Sequence, residues 1–92
     1  MYVGDTGYTN GSIYVKITNS GEPADAYVQV TVYKITDFQQ KELMVVNSPA
    51  MLNPGENTIH IPARLEPGQY KCYVYLFHNS ERKTAVIRDF VV

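Results

Sequence analysis

Hydrophobic residues recur at every second position over most of this chain. From Ser12 to Thr18, Ile13, Val15 and Ile17 alternate with Tyr14, Lys16 and Thr18, the period of a strand with one buried face. From Ala26 to Thr36, Val28, Val30 and Val32 occupy one face and Tyr27, Gln29, Thr31 and Tyr33 the other. This second strand, at about eleven residues, exceeds the usual length. Ile35 breaks its parity, which predicts a bulge or a switch of face near Lys34. Lys41 to Asn47 predicts a shorter third strand whose inward face is ambiguous, because Leu43 to Val46 are all apolar. Asn57 to Ile61 points Ile59 and Ile61 inward and Thr58 and His60 outward, with Pro62 stopping the strand or placing it on an edge. Gln69 to His78 is the strongest strand, with Tyr70, Cys72, Val74 and Leu76 facing in and Tyr73, Tyr75 and Phe77 facing out. Lys83 to Val92 closes the chain. Residues 1–11 carry Gly4, Gly7, Asn10 and Gly11 and read as a leader or a weak edge strand.

The segments between these runs hold the residues that turns require. Asn19-Ser20-Gly21-Glu22-Pro23 is one turn, Asp37-Phe38-Gln39-Gln40 another, and Asn79-Ser80-Glu81-Arg82 a polar hairpin. Ser48 to Glu56 predicts a loop, with Leu52-Asn53-Pro54-Gly55 as its sharp bend. No segment of ten or more residues shows a helical period. Short strands at regular spacing with Gly/Pro turns between them give an all-β fold. Six strong strands and a weak first one predict an immunoglobulin-like sandwich of about seven antiparallel strands, spanning residues 1–92 as one domain. Leu65-Glu66-Pro67-Gly68-Gln69-Tyr70-Lys71-Cys72 marks the corner of such a sandwich. There a Tyr two residues before a Cys pins the late strand to the chain upstream, so Tyr70, Pro67 and Gly68 are the expected structural corner.

Composition narrows the function more than it names one. Net charge is −1, from eight Lys+Arg and nine Asp+Glu with the signs mixed. No basic block tracks a phosphate backbone, so nucleic acid is not an expected partner. No apolar run approaches the roughly 20 residues that span a bilayer, so no membrane insertion is expected of this segment. Its first residues carry no signal peptide pattern. With one Cys no internal disulfide forms, and Cys72 reads as a small buried hydrophobe.

The order Ile17-Thr18-Asn19-Ser20-Gly21-Glu22-Pro23, a Val-rich strand, Leu52-Asn53-Pro54-Gly55-Glu56-Asn57, then Leu65-Glu66-Pro67-Gly68-Gln69-Tyr70 resembles the CARDB family. These are immunoglobulin-like modules of exported and surface proteins of bacteria and archaea. The resemblance covers most of residues 13–78, and other immunoglobulin-like groups, bacterial fibronectin-type modules among them, share its pieces. It implies a module of a larger extracellular or cell-surface chain. After Phe77 the chain departs from the family's acidic pattern with His78-Asn79-Ser80-Glu81-Arg82-Lys83, so no acidic metal role carries over to that hairpin.

Chemistry-bearing residues are sparse. The two histidines, His60 and His78, read as surface residues. A nucleophile needs a base within hydrogen-bond reach, and only His78 has the parity to approach Cys72. No zinc spacing and no calcium loop is present. The expectation is therefore a non-enzyme with no cofactor and no metal. Asn10-Gly11-Ser12 is a glycosylation-type sequon in the leading turn, a triplet common by chance. The candidate interaction face is Tyr73, Tyr75 and Phe77, with Tyr27 and Tyr33 beside them. Such a stripe either stabilises a solvent-facing sheet by cross-strand pairing or marks an interface. The expected function is a spacer or adhesion module whose partners are neighbouring domains or another protein. A carbohydrate- or protein-binding module using the aromatic face is the alternative, as is a small stand-alone protein that self-associates.

Overall fold

In a computed structural model describing Met1–Val92, the chain forms β1 (Tyr2–Thr9), β2 (Ser12–Asn19), β3 (Ala24–Thr36), β4 (Gln39–Leu52), β5 (Gly55–Pro62), β6 (Gln69–His78) and β7 (Glu81–Val91). They build an immunoglobulin-like sandwich of a three-stranded sheet, β1-β2-β5, and a four-stranded sheet, β4-β3-β6-β7. All pairings are antiparallel. In the constant-type immunoglobulin order the fourth strand sits beside the fifth; here β4 pairs with β3 instead.

The core is the set read from alternation. Ile13, Val15 and Ile17 of β2 face Val28, Val30 and Val32 of β3 and Cys72, Val74 and Leu76 of β6, all with no exposed surface. Each large side chain so buried contributes roughly 1.5–3 kcal/mol. Thr58 and His60 of β5 point out and Ile61 points in.

Of the two readings of residues 1–11 the edge strand holds: β1 stands at the edge of its sheet, pairs along β2 and places Val3 and Thr6 in the core. It does so through a bulge in which Gly4 and Asp5 together oppose Lys16, which turns both core residues inward. The expected loop at Ser48–Leu52 is strand: β4 runs past Pro49, which sits opposite Tyr27. A proline survives there because β4 is an edge and needs no donor on its free side. Finally, β3 is regular through Lys34, with Ile35 on the outer face beside Tyr33. The bulge lies on its partner, where Leu43 is the extra residue between Val32↔Met44 and Tyr33↔Glu42. That bulge, Pro49 and the charges of Lys41 and Glu42 together blunt the longest free edge against stray pairing.

Three hairpins have two-residue turns with positive φ at both positions: Asn10-Gly11 (49° and 76°), Asp37-Phe38 (43° and 67°) and Asn79-Ser80 (53° and 60°). This is the geometry whose twist matches the flanking strands, and it favours Asn-Gly and Asp-Gly. Phe38 is the misfit, a bulky residue in the left-handed region with its side chain wholly exposed. Phe38→Gly is expected to stabilise the domain by about 1 kcal/mol, read as a higher urea midpoint at unchanged slope.

Candidate functional site

With alternating strands odd in number, the chain enters the sandwich at one end and leaves at the other. Met1, the Asn19–Pro23 turn, the β4–β5 bend and the Asn79-Ser80 hairpin share the entry end. Val92, Asp37-Phe38 and the Ala63–Gly68 connection share the exit end. The long axis between them measures 44 Å.

Polar contacts hold each end. At the entry end Asn19 is buried, and its Nδ2 donates to the carbonyls of Glu22 (2.9 Å) and Leu52 (3.1 Å) while its Oδ1 accepts from the Gly21 amide. This one side chain ties its own turn to the far end of β4. Asn57 closes the next bend through the Asn53 amide and carbonyl. At the exit end the Tyr70 hydroxyl donates to the Glu66 carbonyl at 2.6 Å, the corner expected from sequence. The Gly68 amide and carbonyl pair with those of Val92. Tyr8 makes a second anchor that sequence reading missed, donating to the Ala63 carbonyl at 2.7 Å. Phe90 stacks between Tyr8 and Tyr70, with centroids 6.3 and 5.6 Å away. On the β1/β7 side, the Arg88 guanidinium donates to the Gly4 and Val3 carbonyls beside the β1 bulge. β1 is an edge, and an edge strand leaves carbonyls free for such a contact; no motif announces this clasp.

The two outer faces differ in chemistry. That of β1-β2-β5 carries Lys16, Thr18, Glu56, Thr58 and His60, with Lys16 and Glu56 3.9 Å apart, and beside them Tyr14 and the 58%-exposed Tyr2. It is the more polar of the two, close to what an antiparallel sheet ordinarily shows to water. The outer face of β4-β3-β6-β7 gathers all five aromatic candidates and adds Val45, Ile35, Ile87, Ala85 and Val91 by register. Ile87 is 54% and Val45 49% exposed. Tyr27 and Phe77 stack at 4.7 Å with planes 8° apart, Tyr33 and Tyr73 lie 5.1 Å apart at 54°, and Arg82 sits 5.9 Å from the centre of the Tyr75 ring. Rings on neighbouring strands that stack at strand spacing stand upright on the sheet. They engage each other by their faces and turn their edges outward. Burial, with the Glu42 carboxylate second, raises the Tyr33 phenol above its ordinary value.

Nothing here assembles a reactive centre. Cys72 is fully buried, and burial, with Asp89 adding to it, pushes its thiol up to about 12. His78 lies about 20 Å along β6 from it, with Nδ1 2.7 Å from the Asp25 carbonyl. His60 is on the other sheet. No three His, Cys, Asp or Glu side chains converge. The larger hollow, about 350 Å³, is half open and lined by Ile35, Gln69, Tyr70, Lys71, Asp89, Phe90 and Val91. Its charges are the Lys71–Asp89 pair at 3.9 Å. No family model matches the chain, and no curated protein is similar to it.

Two outcomes test this account of the ends and the core. Tyr70→Phe removes the corner bond and is expected to cost about 1 kcal/mol, measured by urea unfolding. The Cys72 thiol stays neutral when folded but ionises near 9 when unfolded. Its contribution to stability is therefore complete below pH 9 and falls as pH rises from 9 towards 12. Cys72→Ala should flatten that part of the stability profile relative to the parent.

Proposed function

We propose that this chain is a non-catalytic immunoglobulin-like module that serves as a spacer and protein-interaction unit of a larger exported or cell-surface protein. The observation that carries the reading is the aromatic outer face of the four-stranded sheet. A sheet face turned to water is ordinarily polar, and an extended apolar patch on a soluble domain marks contact with another protein surface. The placement of the chain ends supports the spacer half of the reading. Segments joined before Met1 and after Val92 would leave opposite ends of a rod 44 Å long, and Tyr70, Tyr8 and Asn19 stiffen the two ends where load would enter. The resemblance to CARDB modules agrees with both and is the ground for placing the protein outside the cell.

The ring geometry favours a protein over a glycan as the occupant of this face. Sugars stack on an open aromatic face. Here the faces of Tyr27 and Phe77 meet each other and Arg82 lies over Tyr75, so the stripe offers ring edges, hydroxyls and the aliphatic relief of Val45 and Ile87. Such a surface interdigitates with side chains.

Hydroxyl-radical footprinting of the full natural protein against the isolated 92-residue domain tests the reading. Protection of Tyr27, Tyr73 and Ile87 in the full protein is expected, with the face of β1-β2-β5 unchanged. Equal labelling of both outer faces in the two samples would sink it.

A further inference from the structure

We infer that the occupant of the aromatic face is a second copy of this chain, packed face to face about a two-fold axis that runs across the strands. The inference rests on the preceding reading that this face is an interface and adds the partner and the register.

Charge and size along β7 carry it. From the entry end to the exit end, the outward residues are Arg82, Ala85, Ile87 and Asp89, opposite Phe77, Tyr75, Tyr73 and Lys71 of β6. A cation and a carboxylate thus bracket a small residue and a branched one. Rotation about an axis between the Ala85 and Ile87 rows keeps each strand over its own copy and exchanges the two ends. Ala85 then meets Ile87 of the second copy, so a bulky side chain fills the space over a small one. Tyr75 meets Tyr73, and Arg82 meets Asp89 at both ends of the interface. Within one copy Arg82 has no carboxylate within ion-pair distance and lies only over the Tyr75 ring. Asp89 has only the long, exposed contact to Lys71. Both groups are therefore available to a partner, and the β7 row and the Tyr73/Tyr75 pair match themselves under this rotation, as an isologous interface must, while Phe77 meets Lys71 and Val45 meets Asn47. Twisted antiparallel sheets pack face to face in this aligned manner.

The area suffices. Four strands at strand spacing and about eight residues of length make a face of about 20 by 27 Å, so two copies bury upwards of about 1,000 Å², the threshold of a specific interface. The free edge of β4 is a poorer route to the same partner, since Pro49 and the Leu43 bulge interrupt it.

Sedimentation equilibrium of the 92-residue chain between about 1 µM and about 1 mM is expected to show a monomer–dimer equilibrium. Arg82→Asp and Asp89→Arg should each weaken it at least about tenfold, and the double exchange should restore it to within about threefold of the parent. The two positions lie about 23 Å apart on one strand, so restoration can arise only between copies. Ala85→Arg, at an exposed site, should leave the urea midpoint in place and abolish the dimer. A parent chain monomeric throughout overturns the inference while leaving a foreign protein as the occupant of a protected face. A dimer indifferent to Ala85→Arg, or one the double exchange fails to restore, overturns it by placing the contact elsewhere. Absence of footprint protection together with a monomer removes the interface reading as well.

Discussion

The register between β3 and β6 is the constraint on which the rest depends. Val28, Val30 and Val32 stand directly opposite Leu76, Val74 and Cys72, and by the same pairing Tyr27, Gln29 and Thr31 stand opposite Phe77, Tyr75 and Tyr73. Side chains alternate strictly across a strand, so a slip of one residue would send the valines to water and the tyrosines into the core. The two strands are the inner pair of the four-stranded sheet, and β4 and β7 take their own registers from them. One pairing thus fixes both the dry layer and the aromatic face. The face cannot be changed in register without dismantling the core.

What closes the sandwich is different on its two sides. Between β1 and β7 the sheets approach, and Arg88 spans the gap to the Val3 and Gly4 carbonyls of the edge strand β1. Between β4 and β5 the tie is Asn19, buried and donating to the Leu52 carbonyl as well as to its own turn. The exit end is held by aromatic groups with polar tips. Tyr70 and Tyr8 bury their rings against Phe90 and spend their hydroxyls on backbone carbonyls of the β5–β6 connection. A chain of 92 residues buries a modest fraction of its surface, and a handful of directional bonds at the margins supplies definition that a small core lacks.

The aromatic face serves the fold and its proposed partner at once. Stacked and tilted ring pairs stabilise the sheet by roughly 0.2–1 kcal/mol each, which alone would justify Tyr27 with Phe77 and Tyr33 with Tyr73. Ile87 stands opposite Tyr73 and Val45 opposite Thr31, so both extend the same cross-strand pairing, yet each stays about half exposed. That exposed apolar surface is the part that points outward to a partner. On the outer face of β1-β2-β5, Tyr2 and Tyr14 stand instead beside Thr18 and His60.

Alternation by itself determined the core of Ile13, Val15, Ile17, Val28, Val30, Val32, Cys72, Val74 and Leu76 and the aromatic stripe, because a period of two leaves no freedom over which face each residue takes, and the Leu65–Cys72 motif added the Tyr70 corner. The dipeptides Asn10-Gly11 and Asn79-Ser80 likewise fell in turns, since they tolerate positive φ. Sequence could not say that β1 is a full strand or that β4 passes through Pro49. Each of those depends on whether a neighbour exists on one side, and an edge accepts glycines and a proline that a central strand rejects. Nor could it place the bulge on Leu43 rather than near Lys34, because a parity break seen along one strand can be absorbed by its partner. The pairing of β4 with β3, the Arg88 clasp and the upright stacking of the rings were decided only when the two sheets came together, for each is a contact between residues whose separation in sequence carries no local signal.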